Sequence, residues 1–323
     1  MLTDSLRALR RRLLTPDIAE TRLDRRGFHA KNGAVRQLLE TVGESFLTGY
    51  GHAVQARCSA EAEEHLEEVP AQFRGFAYEG AAMGCAVLDT LLPGARRTEE
   101  LLRGRGRDHV YMAFVGIGWA MARFPRLCRP AVLRRDPLLS WLALDGYGFH
   151  QAYFHTDSYV HRQRRDTGPW WPGGCRGYVR RAVDQGVGRA LWFVGGADPE
   201  HVAALVDRFP ASRRGDLYGG VGLAATYAGG ADEEELRALL KAAGEHRPQV
   251  AQGSAFAAEA RARAGLVTPQ TGLATRVLCG AAPEQAARAA VETRPADPDD
   301  GPVPAYETWR ARLAEALTAT GGP

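Results

Sequence analysis

The stretch Asp145-Gly146-Tyr147-Gly148-Phe149-His150 decides the fold, because its glycine pattern is one of six. The others are Glu79-Gly80-Ala81-Ala82, Val115-Gly116-Ile117-Gly118, Gln185-Gly186-Val187-Gly188, Gly219-Gly220-Val221-Gly222 and Gln252-Gly253-Ser254-Ala255. Each opens an apolar, alanine-containing run of about two further helical turns. The first three marker glycines map onto the last three at offsets of 106, 104 and 107 residues. A unit of about 34 residues accommodates two helices and two turns. The expected fold is therefore all-α, built from tandemly duplicated helical-hairpin repeats in two blocks of three units, arranged as a toroid-like or two-bundle α/α array.

Working outward, residues 1–70 read as an N-terminal helical arm or cap, 71–167 as the first block and 168–177 as a linker loop rich in Gly, Pro and Trp. Residues 178–265 form the second block, and 266–323 a C-terminal extension with a final helix near Tyr306 to Leu317. Residues 33–48 carry helical spacing through Val35, Leu38, Leu39, Val42 and Phe46. Two outer helices are legible. Asp198 with Pro199 starts one, and Asp232 followed by three glutamates starts another, which places Leu236, Leu239 and Leu240 on one face and Gly244 after its end. Glycine inside a helix costs about 0.5–1 kcal/mol relative to alanine. Its recurrence at one place in each unit therefore points to close approach of helix backbones.

Composition narrows the function. Of 323 residues, 45% are hydrophobic and 24% charged, as in globular proteins, and a formal net charge of +3 is too small for a nucleic-acid footprint. The five cysteines are scattered without a C-x-x-C pair, and no apolar run spans a bilayer, so the expected location is cytoplasmic. The run from His109 to Ala120 imitates a strand entering a dinucleotide-binding turn. Met121 stands where the third small residue belongs, and the recurrence of G-x-G favours helix packing. Phosphate-loop, zinc-protease and serine-hydrolase motifs are absent, and neither a metal nor a cofactor is assigned.

The residue before the marker glycine is polar in four units: Glu79, Asp145, Gln185 and Gln252. If the inner helices surround a hollow, these side chains converge at one level, and a buried acid there has a raised pKa suited to general acid or base work. Glu79, Asp145 and His150 are the candidate catalytic residues; His150 shares a helix face with Tyr147 and Phe154, and joins Asp145 at one pocket only if the segment bends or begins between them. Gln185 and Gln252 would position a substrate, and Tyr78, Trp119, Tyr147 and Trp192 would supply aromatic surface. Arg189 lies in an apolar run and needs an acidic partner, with Asp184 and Glu79 in reach of the argument. The competing expectation is that these groups only cap helices, satisfy backbone donors or fill core.

Several segments, namely 73–84, His109-Val-Tyr-Met, Leu144 to His150, Gly188 to Val194, Ala251 to Ala257 and Tyr306-Glu-Thr-Trp-Arg, resemble the UnbL-type proteins of bacterial enediyne gene clusters, an uncharacterised family. The resemblance spans nearly the whole chain. It implies a role in enediyne antibiotic biosynthesis beside an iterative polyketide synthase, and hence a long apolar polyene as the small-molecule partner. Other pathway enzymes are possible partners; nucleic acid and a membrane span are not expected. Binding and remodelling the polyene, shielding it without catalysis, and scaffolding other enzymes are the functions this leaves open. The resemblance carries over no catalytic residue.

Overall fold

The structure is a computed structural model that describes residues 2–92, 94–125, 127–165, 171, 175–296 and 301–319. Among the described residues all regular structure is helical, and sixteen α-helices are present. They are α1 (Leu2–Leu14), α2 (Leu23–Arg26), α3 (Gly33–Gln55), α4 (Ser59–Glu67), α5 (Ala71–Leu91), α6 (Arg97–Arg103), α7 (Val110–Arg123) and α8 (Trp141–Phe154). There follow α9 (Arg176–Val194), α10 (Pro199–Asp207), α11 (Ala211–Tyr227), α12 (Glu233–Ala243), α13 (Arg247–Arg263), α14 (Pro269–Cys279), α15 (Pro283–Glu292) and α16 (Ala305–Ala319). The predicted linker at 168–177 falls largely outside the described residues, and its last two positions already belong to α9.

The marker glycines lie inside helices, where they set the packing. Helices α3, α5, α7, α8, α9, α11, α13 and α15 pack in that order, each on the next. A Cβ placed on the marker glycine of one helix would sit about 2 Å from a carbonyl oxygen of the helix before it. The pairs are Gly80 on Phe46, Gly116 on Glu79, Gly146 on Val115, Gly186 on Asp145, Gly220 on Gln185 and Gly253 on Gly219. From Gly116 onward, that carbonyl always belongs to the residue just before the preceding marker. The second glycine faces the other way: Gly118, Gly148, Gly188 and Gly222 meet the carbonyls of Ala143, Val183, Leu217 and Val250, each three residues before the next marker. Backbone touches backbone, so the loss of helix propensity is offset by contact that any side chain would prevent.

Helix α3 obeys the same rule. Gly49 meets the Ala77 carbonyl, as a second glycine should, and Phe46 supplies the carbonyl under Gly80. The segment read from sequence as a cap at 33–48 is thus a 23-residue helix packed in the same register as the marked units. Its first marker place holds Leu47, which hides it from a glycine search.

The marked stretches of α5, α7, α8, α9, α11 and α13 are buried nearly all round, as elements with neighbours on several sides must be. In α5 every residue from Gly75 to Leu88 is buried. The outer helices are amphipathic and capped as their sequences predict. Asp198 accepts hydrogen bonds from the Glu200 and His201 amides, and Asp232 forms a reciprocal capping box with Glu235. The row curls back on itself. Arg261 of α13 donates to the Gln72 carbonyl of α5 at 2.9 Å, and Tyr111 of α7 donates to Glu259 of α13 at 3.2 Å. The chain before α3 crosses to the far side, where the His29 amide donates to the Val194 carbonyl and Lys31 pairs with Glu235.

Candidate functional site

A cavity of about 360 Å³ opens among α3, α5, α7, α8 and α9, with the 3₁₀ turn Ile18–Thr21 and Pro16 along one side. Gly43 lets that turn lie close, since a Cβ there would meet Thr21 at 2.9 Å. The walls are aromatic and aliphatic: Phe46, Phe76, Met83, Trp119, Phe149, Tyr153, Phe154 and Phe193, with Leu39, Val42 and Leu47 from α3. Trp119 is the hub, with its ring 4.5 Å from Phe46 and 5.1 Å from Phe149. The size is within the range of small-molecule sites, as is an apolar lining carrying few polar groups.

Glu79, His150 and Arg189 are the polar side chains predicted from sequence that border this cavity. Glu79 is buried, and burial pushes its carboxyl up to about 7; the Arg189 guanidinium, 4.0 Å away, opposes the rise and the Asp145 carboxylate adds to it. The Trp119 indole lies near enough to favour the Glu79 anion, yet its N–H makes no full hydrogen bond among the described residues. His150 is enclosed by protein while keeping some surface toward the cavity, and burial depresses its imidazole to about 3, so it is neutral at physiological pH. Its Nδ1 has no partner among the described residues.

Asp145 faces elsewhere. It is buried against Arg189, whose Nη1 donates to its carboxylate at 2.6 Å, and it borders a second hollow of about 30 Å³, the room of one water molecule. Helix α8 runs unbroken through this region, so Asp145 and His150, five residues apart, open onto different hollows; the predicted shared pocket is not formed. Arg189 borders both. Its ion-pair partner is Asp145, with Glu79 at the limit of contact, while Asp184 pairs instead with Arg213 at 2.6 Å.

The four polar residues before the glycines join two networks, not one ring. Glu79, Arg189, Asp145 and Gln185 form a chain that ends on the Tyr306 hydroxyl of α16, with Gln185 donating to Asp145 at 2.9 Å and to Tyr306 at 3.0 Å. Gln252 instead accepts from Arg310 of α16 at 3.1 Å. Gly219 leaves room beside it, since a Cβ there would come within 3.1 Å of the Arg310 guanidinium. Arg310 also donates to Asp216 at 2.8 Å and Tyr178 at 2.9 Å.

Three predicted aromatic positions do not reach the cavity. Tyr78 donates to Glu67 at 2.7 Å and stacks on His109. Tyr147 accepts from Gln151 at 3.0 Å. Trp192 donates to the Gly229 carbonyl at 2.8 Å and ties α9 to the end of α11. Each satisfies its polar tip inside the protein, as buried Tyr and Trp must.

Lining residues that sequence reasoning omitted were one helical turn away. Met83, Arg123 and Phe193 stand four residues after Glu79, Trp119 and Arg189, as Phe154, already placed on the face of His150, stands after His150, and all four border the cavity. The α3 side chains carried no such signal.

The fold and site define an all-helical protein with an internal aromatic cavity holding one buried acid beside a buried ion pair. Among the described residues no helix is long and apolar enough to cross a membrane, and the five cysteines form no disulfide. The family model "Protein of unknown function (DUF1702)" matches residues 5–317, and the chain belongs to that family. No curated protein and no solved structure matches it.

Proposed function

We propose that this protein binds a long, conjugated, apolar polyene in the Glu79 cavity and moves protons on it, as a cytoplasmic component of enediyne antibiotic biosynthesis. The observation that carries the reading is one buried carboxyl, poised near neutrality, in a pocket whose walls are mainly aromatic and aliphatic. Such walls favour a flat unsaturated chain by area burial and ring contact. The pathway assignment rests on the UnbL-type resemblance alone. We also infer that the helices descend from a three-unit block copied once; the constant offsets and the repeated glycine–carbonyl contacts support it.

In this reading Glu79 gives a proton to one carbon of the polyene and takes one from another, so double bonds shift without any change of oxidation state. Arg189, held by Asp145, stabilises the Glu79 anion while the proton is on the ligand. Neutral His150 is a wall with a hydrogen-bonding edge. An acid near the working pH is effective in both directions.

The test is exchange in deuterated water. Wild type should place deuterium in a bound polyene, and Glu79→Gln should still bind it while exchange falls at least about 100-fold. Exchange no faster than in protein-free solvent with both proteins removes Glu79 from the chemistry and leaves a shielding role. Failure of wild type to bind ends the proposal. Asp145→Asn is a poor companion variant, because stripping Arg189 of its buried partner costs about 3–5 kcal/mol and confuses activity with folding.

A further inference from the structure

We propose that the ligand of this cavity ends in a neutral carbonyl conjugated with its apolar chain, and that the carbonyl oxygen docks between Arg189 and Glu79. The inference rests on the polyene reading above and adds the chemistry of the ligand's inner end.

The donors are already in place. Arg189 is buried, spends Nη1 on Asp145, and keeps an Nε–H with no partner among the described residues. A buried, unpaired N–H of a cation is costly and wants an acceptor. Glu79, 4.0 Å from Nη2, is the nearest acidic group not already spent on that ion pair. With its carboxyl pushed up to about 7 by burial, the neutral acid is well populated at neutral pH and donates through its O–H. A carbonyl oxygen has two lone pairs and accepts from both.

Charge selects among acceptors. Arg189 and Asp145 balance each other, so with Glu79 protonated the cluster is neutral. A carboxylate arriving there would bury an uncompensated charge among aromatic rings, which is expensive. An ammonium group would face donors only. A ketone, aldehyde or thioester carbonyl adds no charge and accepts both hydrogen bonds.

Three linear tetraenes of equal length test the idea at about pH 6, where Glu79 is mostly protonated: a hydrocarbon, a methyl ketone and a carboxylate. The methyl ketone avoids reaction with lysine. The ketone should bind about tenfold more tightly than the hydrocarbon, the scale of one hydrogen bond to a charged group. Its absorption should shift to the red, since donors at the oxygen stabilise the more polar excited state. The carboxylate should bind less tightly than the ketone. Glu79→Gln, which keeps an N–H donor, should retain much of the ketone's advantage, and Glu79→Leu should lose most of it while hydrocarbon binding stays. Equal binding of ketone and hydrocarbon without a spectral shift overturns the inference and leaves the apolar-cavity reading intact. Tighter binding of the carboxylate overturns it as well. If no tetraene binds, the functional reading itself falls.

Discussion

The two ends of the helical row are built by the same device and filled differently. Around α5, α7, α8 and α9 the glycine–carbonyl contacts hold helices round a cavity of about 360 Å³. Around α11 and α13 the same contacts hold helices round the chain's own α16. Trp309 is buried there with its ring 4.5 Å from Phe256, and its indole donates to the Ala290 carbonyl; Arg310 reaches Gln252, Asp216 and Tyr178. The polar groups differ accordingly. Arg310 is spent on carboxylate, amide and phenol, whereas Trp119 Nε1, His150 Nδ1 and Arg189 Nε, all on residues bordering the cavity, stand without partners among the described residues, as Gln252 Nε2 and Arg261 Nε do at the other end. Close glycine packing thus builds the hollow, and what fills it decides between structure and function.

The comparison breaks first at the glycines. Gly186→Val and Gly253→Val each drive a side chain into a carbonyl that cannot yield, at 1.8 and 1.9 Å from the first added carbon. Both should cost about 3 kcal/mol or more, enough to lose most of the folded protein in circular dichroism, and they should do so alike at either end. Gly27→Ala, at a surface turn with a left-handed φ of 69°, meets no neighbour and should cost far less. If Gly186→Val melts like wild type, backbone contact is not what joins these helices.

The contrast sharpens with two tryptophans. Trp309→Ala should destabilise by about 3–5 kcal/mol in chemical denaturation, because it empties a filled core. Trp119→Ala removes a wall that already borders open space, so its stability cost should be smaller and its main effect a weakening of polyene binding by tenfold or more. Equal stability costs with unchanged binding would mean that the cavity is ordinary core.

Two titrations act in opposite directions within the cavity. Glu79 holds its proton more tightly folded than unfolded, so its favourable share is complete below the ordinary glutamate range and is lost as pH rises to about 7. Glu79→Gln should therefore gain up to about 3 kcal/mol over wild type at alkaline pH, and little under acid conditions. His150, lowered to about 3, has the reverse sign: the unfolded chain binds its proton first, and stability falls as pH drops below the ordinary histidine range. His150→Phe should flatten that acid limb, read from melting temperature against pH. A variant pair that changes neither limb would place both groups in solvent.

Much of this was legible in the sequence. The glycine register, the outer-helix caps at Asp198 and Asp232, and the choice of Glu79, Trp119, His150 and Arg189, all of which border the cavity, follow from spacing and residue type. Spacing also says which side chains share a face, so Met83, Phe154 and Phe193 were within reach. It does not say which neighbour a face meets. For that reason Asp145 and His150 were joined only on condition of a bend that α8 does not make, Arg189 was offered Asp184 beside Glu79, and Gln252 was drawn into the same ring as Gln185. Helix α3 was hidden by Leu47 in the glycine's place. The insertion of Tyr306, Trp309 and Arg310 depends on a contact over more than a hundred residues from Gln185, which no local pattern announces.

The most direct test is a titration of wild type and Val42→Trp with a linear tetraene, followed by quenching of tryptophan fluorescence. Val42 is buried on α3 and faces the cavity, so the larger side chain fills the space a ligand would take. Saturable quenching in wild type, and its loss in a Val42→Trp protein that melts at or above the wild-type temperature, is the predicted result. A folded Val42→Trp protein that binds tetraene as wild type does would contradict the account.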